Sequence, residues 1–381
     1  MSLVAKLGGT EMLGQYALAV AIVAPALMLA HLNLRAVLAT DVEERHPFGD
    51  YLAVRLAVAA AGLAAIALLA WLSAESRPLA AVILATGTAQ SSETISDVYY
   101  GALQRRERMK PICLSLVARS IVSVALLGLA LRVTGDLVWS VAAMALGRVA
   151  VLLAYDRPQG QSGEDCRRSG RRSELTILRT ALPLGVVLML VALNTNLPRY
   201  AIGHYLGARE LGAFAAAVSF VTVGSTVVHA LGQAVTPRLA RHFSERDWGR
   251  FRGISVRLAG VVLALGAAGV TTAAVLGKFA LALLYRPEYA AYSVLLVWIM
   301  GAAVPGYLAI ALGYVVTSAR AFHPQMPLFC GVAATCGIAS WALVPRFGLR
   351  GAALALALAA TVQIGGEALI LARAIRRGEP A

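Results

Sequence analysis

Charge is scarce in this sequence, and negative charge is scarcest. Asp, Glu, Lys and Arg supply 14% of its 381 residues, with 20 acids against 34 Lys and Arg, while hydrophobic residues supply 59%. Ordinary soluble domains carry roughly 25% charged residues, so the polar surface that a water-soluble body of this size needs is missing. The 4 cysteines, at 113, 166, 330 and 336, show no CxxC spacing, which excludes a disulfide framework or a thiolate metal site. The 6 histidines are scattered. No HExxH, no GxxxxGK[ST] and no GxSxG occurs, so neither ATP hydrolysis nor hydrolase chemistry is supported and no cofactor is expected. The alternating, turn-punctuated pattern of an outer-membrane barrel is absent. No charged n-region with a small-residue cleavage site precedes the first apolar run, so no cleaved signal peptide is expected.

What is present is a succession of apolar runs of about twenty residues, the length that crosses a bilayer as a helix. Eleven spans are predicted, at 15–37, 51–72, 79–101, 111–132, 137–155, 181–204, 211–234, 255–276, 292–317, 327–344 and 351–373. The chain is an all-α polytopic membrane protein and not an enzyme. Any transport must draw on an ion gradient or on the substrate's own gradient. The segment Lys278–Tyr289 reads as interfacial, ending at Pro287.

The chain contains one of its segments twice. KLGGTEMLG (Lys6–Gly14) leads into QYALAVAIVAPALMLAHLNLRAV, and YLGARELG (Tyr205–Gly212) leads into AFAAAVSFVTVGSTVVHALGQAV. Gly14 matches Gly212, Tyr16 matches Phe214, and the offset is about 198 residues. Two tandem, pseudo-repeated helical bundles follow: 1–155, a polar cytoplasmic linker 156–178, and 179–381. The first copy of the leading helix is expected before Met1.

Arginines sit in alternate connections: Arg35, Arg45 and Arg55; Arg105, Arg106, Arg108 and Lys110; six from Arg157 to Arg179; six from Arg238 to Arg257; then Arg320 and the tail Arg373, Arg376 and Arg377. The positive-inside rule makes these loops and the C-terminus cytoplasmic. Basic inside loops also account for the formal net charge of +14 without nucleic acid. The arginines of the linker either contact anionic membrane lipid or are simply solvated.

Polar groups within the spans are costly and usually functional. In the third span Thr86, Gln90, Glu93, Asp97, Tyr100 and Gln104 fall on one helical face. Glu93 and Asp97 serve there either as an ion relay or as ion pairs between helices. Arg119, about eight residues inside the fourth span between Ser115 and Ser123, needs an anion: a carboxylate such as Glu93, or a phosphate, which its planar fork suits. Arg148 in the fifth span either snorkels or faces a cavity. In NTNLPR (Asn194–Arg199), Pro198 is expected to break the sixth span and free backbone carbonyls. His229 on the seventh span reads as a packing residue, and Glu367 on the last either snorkels to the cytoplasm or pairs with Arg373.

Four stretches carry a family resemblance: LGQYALAVAIVAPALMLAHLNLRAVLATD (13–41), ETISDVYYGALQRRERM (93–109), NLPRYAIGHYLGARELGAFAAA (196–217) and VTPRLARHF (235–243). With them the chain resembles the polysaccharide-biosynthesis, O-antigen-type flippases of the multidrug/oligosaccharidyl-lipid/polysaccharide exporter superfamily. That resemblance implies six-plus-six helices (five plus six here) around a central cavity. It implies movement of an undecaprenyl-pyrophosphate-linked oligosaccharide across the bacterial inner membrane by alternating access. A polysaccharide polymerase and chain-length machinery are the partners it suggests. Arg119, Arg199, Arg148 and Arg35 would hold the pyrophosphate, with Asn196 and Gln90 beside it, and Glu93 and Asp97 would couple an ion. A multidrug exporter, a peptidoglycan lipid II flippase and a truncated, non-transporting copy or synthase subunit are the competing readings.

Overall fold

The computed structural model describes residues 1–40, 46–73, 76–162, 167–319 and 324–377; Arg45, Cys166, Arg320 and His323 lie outside them. Among the described residues the chain is helical throughout: α1 (Ser2–His31), α2 (Leu34–Thr40), α3 (Phe48–Ser73), α4 (Arg77–Arg105), α5 (Met109–Thr134), α6 (Leu137–Val151), a π-helical turn (Leu152–Asp156), α7 (Arg157–Gln161), α8 (Arg171–Tyr205), α9 (Gly207–Ser244), α10 (Trp248–Leu284), a 3-10 turn (Pro287–Tyr292), α11 (Ser293–Ser318), α12 (Gln325–Phe347) and α13 (Leu349–Arg377). With α1 and α2 read as one span, each predicted span has its helix. Among the described residues 10 helices are long and apolar enough to cross a membrane. The exception is α4, whose polar face lowers its hydropathy. Lys278–Leu284 is helical and continues α10.

Local chemistry sets the ends. Ser76 accepts from the Leu79 amide at the start of α4, where Pro78 supplies a fixed φ and lacks the N–H that would go unpaired. Asp136 caps α6 through the Val138 amide at 2.7 Å, and Gly135 ends α5 in the left-handed conformation that glycine adopts without strain. Apolar side chains such as Trp71, Val133, Val275 and Ile338 stay exposed, as expected of helices solvated by lipid.

The helices form two compact units, residues 15–193 and residues 1–14 with 194–381. In the first, Leu34, Leu38, Phe48, Tyr51, Val98 and Tyr99 pack into one core. In the second, Val228, Leu239, Phe251, Val262, Tyr307 and Val315 do the same. The second unit also contains the repeated turn in both copies. Gly9 breaks α1 at φ 81°, and Gly207, 198 residues on, stands at φ 83° before α9. A Cβ on Gly14 would lie 1.7 Å from the Ala208 carbonyl oxygen, and one on Gly212 would lie 2.0 Å from that of Thr10. The two copies therefore touch reciprocally, backbone to backbone, and only glycine permits it. The Gly9 break leaves upstream carbonyls without helical partners. Arg286 fills two of them, donating to Lys6 at 2.9 Å and Leu7 at 3.2 Å.

Pro198 does not break its helix: α8 continues through it to Tyr205. Proline removes the amide that would reach the carbonyl four residues back, that of Asn194. The Cys336 thiol on α12 donates to that oxygen at 3.4 Å, so the freed acceptor is satisfied.

Candidate functional site

In the unit of residues 15–193, α1, α2, α3 and α4 bring a polar cluster together. Asp97 on α4 receives His31 Nε2 at 3.0 Å and Arg35 Nη1 at 3.2 Å. Arg35 Nε donates to Gln104 Oε1 at 3.0 Å, and its guanidinium stands 5.6 Å from the Tyr100 ring centroid. Arg55 on α3 is fully buried, donates through Nη1 to the Ala30 carbonyl at 2.9 Å, and leaves Nε and Nη2 without partners. It lies within electrostatic range of Asp97. Two guanidinium groups and an imidazole thus share a single carboxylate.

Tyr100 links this cluster to a second. Its hydroxyl meets Ser115 Oγ at 2.6 Å, and Arg119 stacks over its ring at 5.7 Å. Arg119 Nη2 is paired with Asp156 Oδ2 at 2.9 Å, and Asp156 also accepts from Ser96 at 2.5 Å and from Ser115. Arg119 is 4% exposed and Asp156 1%, so the pair is sealed from water. The sequence suggests Glu93 as the carboxylate partner of Arg119; the structure supplies Asp156, the first residue of the polar run, turned inward by the π-helical turn.

Glu93 pairs instead with Arg148, at 3.1 Å, while Arg148 Nε donates to Ser123 at 3.0 Å. That pair is open, with 53% of the Glu93 side chain exposed. Gln90 is half-buried one turn away and, among the described residues, its side chain has no hydrogen-bond partner.

The second unit holds Arg199 and Asn196, with Arg199 Nη1 donating to Asn196 Oδ1 at 2.9 Å. Arg199 Nε is buried without a partner, and among the described residues no acid pairs with this arginine. His229 meets the Tyr314 hydroxyl at 3.1 Å. Glu367 neither snorkels nor pairs with Arg373. It is 2% exposed and accepts from Gln363 at 2.9 Å, because its helical face turns into α11.

His31, Arg55 and Asp156 belong to these clusters although the sequence does not single them out. Arg55 reads there as an arginine of an inside loop, whereas α3 starts at Phe48 and carries it into the core. Asp156 reads as linker. Only the position of Arg55 inside its span hinted at burial. Among the described residues no group of three or more His, Cys, Asp or Glu is placed to hold a metal ion.

Comparison with known proteins places these features. The chain is 21% identical over 366 residues to the capsular polysaccharide biosynthesis protein CapF of Staphylococcus aureus, covering 95% of this chain and 91% of that one. An inward-facing multidrug resistance MATE family transporter of the MOP superfamily superimposes with a TM-score of 0.80 at 13% identity, covering 99% of this chain and 93% of that one. The lipid II flippase MurJ, in an inward closed conformation, gives 0.76 at 12% identity, with 99% and 86% covered. The family described as polysaccharide biosynthesis protein matches residues 1–243, more than half of the sequence, and the chain belongs to that family, built on the fold that MATE transporters and MurJ share.

Proposed function

We propose that this multi-pass membrane protein moves a lipid-linked oligosaccharide, carried on undecaprenyl pyrophosphate, across the bacterial inner membrane by alternating access, with its C-terminus in the cytoplasm. The observation that carries the proposal is guanidinium without a matching carboxylate at Arg35, Arg55 and Arg199, of which Arg55 is fully buried and the other two are half-buried. Arg35 and Arg55 share Asp97, and among the described residues no acid pairs with Arg199. A buried cation needs a counter-charge, and a pyrophosphate oxygen offers a guanidinium the bidentate partner it prefers. An exporter of organic cations would be served by the opposite balance.

Within this proposal Arg35 of the first unit, and Arg199 with Asn196 of the second, are phosphate-binding groups, and Gln90 and the Arg148–Glu93 pair of the first unit are sugar-binding groups. Arg119, locked to Asp156, positions Tyr100. Asp97 and Glu93 are the ion-coupling carboxylates, since both pair with basic groups that an incoming proton or anion would release. The flipped product would pass to a polymerase on the outer side.

The test is Arg199→Ala and Arg199→Lys in cells that depend on this protein for surface polysaccharide. A charged hydrogen bond contributes about 1.5–3 kcal/mol, so Arg199→Ala should reduce surface polysaccharide roughly ten- to hundredfold. Lipid-linked oligosaccharide should accumulate at unchanged protein level, and lysine should restore only part. Normal surface polysaccharide with Arg199→Ala would remove the basis of the proposal.

A further inference from the structure

The second unit carries a carboxyl group that the transport scheme above does not use. Between Tyr289 and Arg377, Glu367 is the one acid in the sequence. It lies in the middle of α13, 2% exposed. Gln363, one turn earlier on the same helix, donates its side-chain amide to Oε1 at 2.9 Å, and Oε2 is buried with no hydrogen-bond partner. The helix packed over it gives way at this point. A Cβ on Gly313 of α11 would stand 3.3 Å from Oε1, so the glycine leaves room for the carboxyl group against the α11 backbone.

The groups that face it are neutral. α13 packs against α11 and α12, and its Leu356 and Ala359, at least two turns before Glu367, also meet Leu197 of α8, whose titratable groups near that contact are Arg199, Tyr200 and His204. α11 contains no charged residue, and its titratable groups are Tyr307 and Tyr314, whose hydroxyls are engaged with the Val221 carbonyl at 2.9 Å and with His229 at 3.1 Å. α12 carries Cys330, Cys336 and, near its far end, Arg346. On α13 itself the basic residues are Arg350 near its start and Arg373, Arg376 and Arg377 toward its end. Among the described residues none of these forms an ion pair with Glu367. The neighbouring Gly366 packs on Leu328 of α12.

A buried, unpaired carboxylate is among the costliest groups in an apolar interior, and the group takes up a proton instead. A neutral carboxyl accepts the Gln363 amide hydrogen through Oε1 and carries its proton on Oε2, the oxygen left without a partner. A calcium or magnesium ion would find too few oxygens here, since such cations take about six or more oxygen ligands and Gln363 turns a donor toward the site.

We propose that Glu367, with Gln363, is a proton-binding site inside the second unit, separate from the Glu93 and Asp97 pairs. It is loaded while α11 and α13 are packed as seen, and empties when that packing opens to water. The arginine chemistry of the flippase proposal plays no part in it, so either proposal can fail without the other.

Infrared spectroscopy of the purified, full-length protein in detergent tests it. At neutral pH the wild type should show the carbonyl band of a neutral carboxylic acid in an apolar site, and Glu367→Gln, which keeps the shape and the amide pairing, should lose it. Gln363→Leu, which removes the hydrogen bond to Oε1, should shift that band to higher frequency. In lipid vesicles a pH gradient should drive proton uptake by the wild type, and uptake should fall at least several-fold with Glu367→Gln. Identical wild-type and Glu367→Gln spectra would mean an ionised carboxylate and would overturn the proposal, as would an unshifted band in Gln363→Leu or undiminished uptake with Glu367→Gln. Should Glu367→Gln fail to fold, the Gln363→Leu shift still decides.

Discussion

At the scale of the residue, Arg119 and Asp156 show what a sealed ion pair does. With both charges out of water, removing one leaves the other without compensation, at a cost of about 3–5 kcal/mol. Arg119→Ala should therefore depress the thermal midpoint of the purified protein sharply and lower its level in the membrane. Arg119→Ala with Asp156→Ala should recover much of that loss. If the double variant is as unstable as the sum of the two singles, the pair is not coupled as described. Cys336 makes a smaller contribution of the same kind. Its thiol is a weak donor, and Cys336→Val keeps the volume while leaving the Asn194 carbonyl unpaired, for an expected loss of about 1 kcal/mol in a denaturation curve. Cys336→Ser, which restores a donor, should lie closer to wild type.

Burial was legible in the sequence for Arg119, because it stands deep in an apolar run, but its partner was not. A carboxylate at the end of a span looks the same whether it turns toward solvent or back into the bundle, and only the π-helical turn at 152–156 decides. Arg55 was hidden for a related reason. Its charge counted toward the inside loops, while the start of α3 at Phe48 places it beyond the loop. Pro198 misled because the sequence shows the missing amide and not the thiol, 138 residues later, that takes up the acceptor.

At the scale of the element, the reciprocal contact at Gly14 and Gly212 fixes how closely the leading turn of α1 approaches α9. Gly14→Ala or Gly212→Ala sets a methyl group against a backbone carbonyl that has little room to move, and overpacking of this sort costs about 1–3 kcal/mol. Both should lower the thermal midpoint, whereas Gly253→Ala on α10, where an added Cβ meets nothing within 4 Å, should leave it unchanged or slightly raised. Equal effects at all three positions would mean that the close approach is unimportant. The repeat that locates this contact is plain in the sequence, because both copies need glycine where the chain turns left-handed and again where two backbones meet. That the two copies would meet each other was not plain, since sequence identity between segments says nothing of their spacing in space.

At the scale of the whole molecule, the arginine distribution predicts a topology that can be read with an impermeant thiol reagent. In a background without native cysteines, Arg108→Cys should react only after the membrane is made permeable, and Arg77→Cys in intact cells from which the outer barrier has been removed. The reverse pattern would invert the assignment of sides. Span number and order were legible because twenty apolar residues have few alternatives. The outlier, α4, was legible for the opposite reason: its carboxylates and amides repeat at helical spacing, a pattern that survives low hydropathy.

The Gly14–Ala208 contact also has a consequence in time. The first turns of α1 leave the ribosome well before the surface they pack on, since Ala208 is encoded about 194 residues after Gly14. At roughly 5–20 residues per second that is a wait of roughly 10–40 s. Throughout that interval the segment has only lipid and earlier helices for company. A slow codon or a stalled ribosome ahead of α9 would prolong the exposure of its glycine-bearing backbone to wrong partners.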